Sequence, residues 1–129
     1  MIMRHAVLAI CCAAACAAPS VARDRNAVPA ATPIGPARNC VPITQLRESL
    51  VRNDRVIDFR TTGGRDRYYR VELPQSCPGL GFERRFSYGT SLSQLCAQDI
   101  ITVLYQTGPM RGASCGLAPF QPVTIPRKR

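Results

Sequence analysis

Four cysteines, Cys40, Cys77, Cys96 and Cys115, constrain this chain more than any other feature. They stand 37, 19 and 19 residues apart, so no two of them form the close CxxC pair that sets two metal ligands on one turn. Nor does any CxxC motif place two thiols at exchange distance, which argues against a redox centre. An even number of cysteines in a small exported chain reads instead as two disulfides, which brace a sheet whose core is small. Loop-closure entropy separates the nested pairing (Cys40 with Cys115, Cys77 with Cys96) from the sequential one (Cys40 with Cys77, Cys96 with Cys115) by less than its own precision. The expectation taken here is the nested pattern, because it ties the first structured segment to the last. In "SCPGL", Pro78 and Gly79 then fix a turn that aims Cys77 at its partner.

The oxidising compartment is read from the amino end, "MIMRHAVLAICCAAACAAPSVARDRNA". A short basic start, an apolar run from Ala6 to Ala18 and small residues after it make residues 1–22 a secretory signal peptide, with Ser20 and Ala22 placing cleavage before Arg23. The run is too short to span a bilayer. The alternative is a lipoprotein signal in which Cys16 is acylated and becomes the first mature residue; against it, Ala13 stands where such signals prefer leucine. On simple cleavage Cys11 and Cys12 leave with the leader. So does His5, the single histidine of a chain whose formal net charge is +9.

Residues 23–39, rich in alanine and proline, read as a disordered linker, with one small domain over 40–125 and a basic tail over 126–129. Within the domain the apolar pattern has period two. Ile57 and Phe59 oppose Val56, Asp58 and Arg60, while Tyr69, Val71 and Leu73 oppose Tyr68, Arg70 and Glu72; "TTGGRD" between them predicts a hairpin with one face in the core. "VPITQLRESLVRND" fits either a strand or a short helix, with a turn at Asn53 and Asp54. "RRFSY" predicts a short strand, and "TSLSQLCAQD" a helical turn capped by Ser91 or Ser93. "IITVLY" reads as the most buried strand, and "LAPFQPVTI" as an edge strand because of Pro119 and Pro122. The fold class expected is mainly β: a small antiparallel barrel or rolled sheet of about four to six strands with one short helical turn.

The succession "NC", "RVIDF", "GG", "YY", "LPQSCPGL", "FSY", "LCAQDIITV" and "SCGLAPFQP" resembles a bacterial domain-of-unknown-function family of small exported proteins and lipoproteins, over roughly residues 38–124. The resemblance rests on the pattern LPxxCPGL followed by LCxxDxI. It implies secretion, four paired cysteines and a compact mostly β domain, and it supplies no catalytic residues.

The loss of His5 removes the side chain best suited to proton transfer near neutrality, and Lys128 lies in the tail, so a Ser-His, Cys-His or Ser-Lys nucleophile is not expected. Carboxylates remain, but Asp58 and Glu72 read as solvated ion pairs with Arg60 and Arg70, and Asp99 as an acceptor of backbone hydrogen bonds. An enzyme built on carboxylates is thus the weakest reading, and no metal or cofactor is implied. A cationic module for lipid phosphate or surface polysaccharide is the first alternative. Its candidate residues are Arg60, Tyr68, Arg70, Arg84 and Arg85, drawn from a stretch in which these and Arg52, Arg55, Arg65 and Arg67 interleave with Phe59, Tyr69, Phe82 and Phe86. Export would carry the chain away from nucleic acid. The expectation is therefore an accessory or interaction domain of the periplasm or envelope, acting on an unknown envelope protein or an anionic surface, with a membrane tether if Cys16 carries lipid.

Overall fold

The computed structural model describes residues 17–90, 92–107 and 110–127. Residues 1–16, Ser91, the Gly108–Pro109 pair, Lys128 and Arg129 lie outside the described residues, and with them the expectations for Cys16 and Ser91, most of the signal peptide and the end of the basic tail.

The fold is mainly β and antiparallel throughout, a rolled assembly of three sheets rather than a closed barrel. Ten strands appear among the described residues: β1 Thr32–Pro33, β2 Cys40–Pro42, β3 Leu46–Val51, β4 Val56–Thr61, β5 Arg67–Glu72, β6 Phe86–Tyr88, β7 Gln94–Cys96, β8 Ile100–Leu104, β9 Arg111–Gly116 and β10 Gln121–Thr124. A five-stranded sheet runs β1-β10-β5-β4-β3, a three-stranded sheet runs β6-β8-β9, and β2 pairs with β7. There are more strands than the four to six expected because several are only two or three residues long.

The β4–β5 hairpin forms as its alternation requires, with Phe59 opposite Tyr69 and Ile57 opposite Val71. Its inner face meets Ile101 and Val103 of β8, together with Leu80, Leu95, Leu117 and Phe120, in one buried cluster. Phe120 stands at its centre, 5.7 Å from the Phe59 ring and 6.2 Å from Tyr69, and Phe59 reaches Phe86 of the other sheet edge-on at 6.3 Å. The ambiguous segment after Cys40 resolves into both alternatives in turn: strand β2, a 3-10 turn over Ile43–Gln45, then strand β3.

Several expectations are corrected. Pairing begins at Thr32, within the segment read as a linker: β1 lies beside β10, Ile34 N–H donates to the Pro122 carbonyl at 3.0 Å, and Arg38 N–H donates to that of Phe120 at 2.8 Å. Consequently β10 is no edge strand. It lies between β1 and β5, and Pro122 contributes its carbonyl to the ladder where it has no N–H to give. The helical turn does not form over 92–96, where β7 takes Gln94–Cys96 instead; among the described residues, helix occurs, apart from the 3-10 turn, as the single turn α1, Leu80–Glu83. β8 is not buried on both faces either. Ile101 and Val103 enter the core while Ile100 on the far side is 53% exposed and Thr102 and Leu104 are half-buried.

The disulfides are Cys40–Cys96 and Cys77–Cys115, neither nested nor sequential but interleaved. The register explains the first: Cys40 and Cys96 are direct partners across β2 and β7, with Cα atoms 4.0 Å apart. The second joins the turn that begins at Cys77 to β9. Spacing along the chain is blind to both facts, since each pairing follows from which strands lie side by side.

Candidate functional site

The outer face of the hairpin, where sequence alternation assembles the polyanion candidates, is occupied by the protein itself. Asp58 is fully buried, not solvated. Its Oδ2 accepts from Arg52 Nε at 2.7 Å, and its two oxygens accept from Arg70 Nε at 2.8 Å and Nη2 at 3.0 Å. Arg70 Nη2 also donates to the Pro29 carbonyl at 2.8 Å, so the amino-terminal segment closes over this face. Tyr68 is buried with Val123 and Ile125. Arg60 lies 5.8 Å from the Tyr68 ring centroid and pairs with Glu48 at 3.2 Å. Three of the five candidates, Arg60, Tyr68 and Arg70, thus sit together, but each is committed to internal contacts. Glu72 is exposed, and Arg70 pairs with Asp58 rather than with it. Asp99 does what was expected of it: its Oδ2 accepts from the Cys96 amide at 2.7 Å, at a turn between two strands rather than after a helix.

Arg84 leads elsewhere. "SCPGLGFERR" folds back over the β3–β4 turn and leaves a concave groove of about 690 Å³ between them. The turn is built in layers. Cys77 N–H donates to the Asp54 carbonyl at 2.8 Å, and Leu80 N–H to that of Cys77 at 3.2 Å; with Pro78 second and Gly79 third at φ 82°, this is a type II turn, for which Gly79 supplies the left-handed backbone. Asp54 Oδ1 then accepts from the Gly81 amide at 2.7 Å. A methyl group on Gly81 would stand 3.0 Å from the backbone of Asn53 and Asp54, so only glycine lets the two turns approach this closely. Across the gap, Asn53 Oδ1 accepts from the amides of Arg55 and Val56 at 2.8 and 2.9 Å, which fixes the opposite wall. The Cys77–Cys115 bridge fastens the whole turn to β9.

Three arginines line this groove. Arg84 ends α1 in left-handed backbone at φ 56°, the one non-glycine residue with positive φ among the described residues. Its guanidinium donates to the Val51 carbonyl at 2.8 Å and to the Arg25 carbonyl, which draws the amino-terminal segment in as a second wall. Arg55 donates through Nε and Nη2 to the Leu73 carbonyl at 3.3 and 3.1 Å. Arg25 completes the set. Among the described residues none of the three meets a carboxylate, whereas Arg52, Arg60, Arg70 and Arg127 all do. No direct ion pair neutralises these three, and the one carboxylate in the lining is that of Asp54. Phe82, the third residue of α1, is 85% exposed at the groove. Behind this wall Glu83 is buried, its carboxylate accepting from the Gln106 amide at 3.1 Å.

Arg85, the fifth candidate, is exposed and immediately precedes β6; its carbonyl accepts from the Leu104 amide. It is not part of the groove lining. Arg55 and Phe82 carry a signal in the sequence, an arginine and an aromatic residue each beside a turn, but strand alternation says nothing about residues in turns. Arg25 was hidden by its place in a stretch read as linker.

No protein-family model matches this chain, and no curated protein or solved structure is similar to it. The two disulfides fit an oxidising location, and no helix among the described residues is long and apolar enough to cross a membrane.

Proposed function

We propose that this chain is an exported domain of the bacterial periplasm or envelope that acts by contact and not by catalysis, in keeping with the exported family its motifs resemble, and that the groove beside the SCPGL turn is where contact is made. One observation carries the reading: Phe82 is almost wholly exposed although it sits on one of the most firmly anchored turns of the molecule. A large apolar side chain presented to water from an anchored backbone at the edge of a concavity requires no ordering of the chain that carries it on meeting a partner, which suits a binding anchor. Anchoring by lipid at Cys16 belongs to the same proposal, and the intact mass of the envelope-derived protein tests it directly.

The contact reading is tested by placing a photo-reactive phenylalanine analogue at position 82 of the full chain, expressed in an exporting bacterium. The expected result is a discrete crosslinked product from position 82 that is missing when the analogue stands at Glu72, which is exposed on β5. Equal yields from both positions, or none from position 82, would remove the groove as the contact site. The cationic alternative keeps a second place because Arg25, Arg55 and Arg84 line the groove without a carboxylate partner.

A further inference from the structure

The geometry points to the groove as a receptor for a phosphate monoester that carries a ring or apolar group. This deepens the contact reading and rests on it. Three guanidinium groups and the single carboxylate of Asp54 leave the lining two positive charges in excess, with Glu83 set behind it beneath the Gln106 amide. A phosphate monoester carries about −1.5 to −2 charge at neutral pH and matches that excess, whereas a carboxylate or phosphodiester, with one charge, does not. Arginine is suited to the task because its planar fork offers paired donors to tetrahedral oxygens. Arg55 keeps Nη1 free of any partner among the described residues. Arg84 likewise keeps Nε, its two terminal nitrogens being held on carbonyls so that the group stays in place.

The remaining features fit the same ligand. At about 690 Å³ the groove has the size of a small-molecule or headgroup site, and its concavity requires a group that projects into it rather than a flat surface. Phe82 provides the apolar side, against which a ring or acyl segment next to the phosphate would pack. Left-handed backbone is unusual at a residue with a full side chain, as at Arg84, and such residues concentrate at ligand-binding positions. Here that conformation brings the Arg84 guanidinium within reach of both the β3 carbonyl and the amino-terminal segment.

The test titrates the purified disulfide-bonded protein with phenyl phosphate, inorganic phosphate and phenyl sulfate, following heat and the amide resonance of Gly81. Phenyl phosphate should bind tightest, inorganic phosphate more weakly for want of the ring, and phenyl sulfate about tenfold more weakly than phenyl phosphate for want of the second charge. Arg55→Gln should weaken phenyl phosphate by about tenfold, with Arg55→Lys recovering part of the loss. Phe82→Ala should bring phenyl phosphate down to the level of inorganic phosphate while leaving inorganic phosphate unchanged, a pattern that misfolding would not produce. Arg47→Gln, on exposed β3, should change nothing.

Vesicles containing phosphatidic acid, set against phosphatidylglycerol, separate the sources of the phosphate. Binding to phosphatidic acid that is lost in Phe82→Ala assigns a lipid headgroup, and binding to phenyl phosphate alone assigns a soluble ester; either supports the site. Phenyl sulfate binding as tightly as phenyl phosphate, or Arg47→Gln acting as strongly as Arg55→Gln, overturns it. If these titrations fail while position 82 still crosslinks in the envelope, the ligand class is wrong and the contact surface stands.

Discussion

Replacing Asp58 by asparagine should cost this protein more than any other single change of charge. The carboxylate is fully buried and receives three hydrogen bonds from Arg52 and Arg70, at 2.7, 2.8 and 3.0 Å. Asparagine keeps the shape, but it turns one acceptor into a donor facing donors and leaves two guanidinium charges without their counter-ion. Breaking a buried ion pair from one side costs about 3–5 kcal/mol. The arginine side chains retain 22% and 13% exposure, so water recovers part of this, and about 2–4 kcal/mol is expected. Glu48→Gln serves as the control. That pair spans 3.2 Å with its members 50% and 34% exposed, and its loss should cost no more than about 1 kcal/mol. Urea denaturation of both variants at neutral pH, with the slope checked for constancy, reads the difference. In a domain of this size the Asp58 variant should also melt on the order of 10 °C lower. A D58N protein within about 0.5 kcal/mol of the parent would refute the reasoning, because it would mean that the triad is hydrated and the outer face of the hairpin is open.

Non-reducing peptide mapping should recover Cys40 joined to Cys96 and Cys77 joined to Cys115, and the joint replacement Cys77→Ser with Cys115→Ser, which opens a separation of 38 residues, should lower stability by about 4 kcal/mol in urea. Gly81→Ala should cost about 1–3 kcal/mol, since its methyl meets backbone at 3.0 Å, and should shift the amide resonances of Asn53 and Asp54; a neutral outcome would mean that the two turns are not in contact. Deleting residues 23–33 removes β1 and the carbonyl that Arg70 Nη2 uses, so stability should fall by about 2 kcal/mol or more, whereas a dispensable linker would leave the melting temperature unchanged.

What could be read from the sequence was what depends on neighbours along the chain. The β4–β5 hairpin, the turn at Pro78 and Gly79 and the role of Asp99 follow from period-two patterning and turn chemistry, which act over a few residues. What escaped depends on distant strands. β10 looked like an edge because prolines weaken a ladder, yet the supposed linker supplies its second neighbour and uses the Pro122 carbonyl. Asp58 looked solvated because it alternates with core residues, and only the returning amino-terminal segment and the Arg52 and Arg70 side chains bury it. Of the candidate arginines, Arg84 lines the groove, while Arg60 and Arg70 are engaged internally. A row of cations on one strand face suits an internal network as well as a ligand site, and the arginines without a carboxylate partner lie in turns that meet only in three dimensions.

The crossing of the two disulfides has a consequence for how the protein must be made. If the chain is exported as proposed, amino end first, Cys77 meets Cys40 well before Cys96 arrives, so prompt oxidation joins a pair that the finished molecule does not contain. The correct links require either that oxidation wait until the last strands have emerged or that a disulfide isomerase undo the early bond. Yield in a host lacking such an enzyme should therefore be governed by thiol reshuffling, whatever the stability of the final fold.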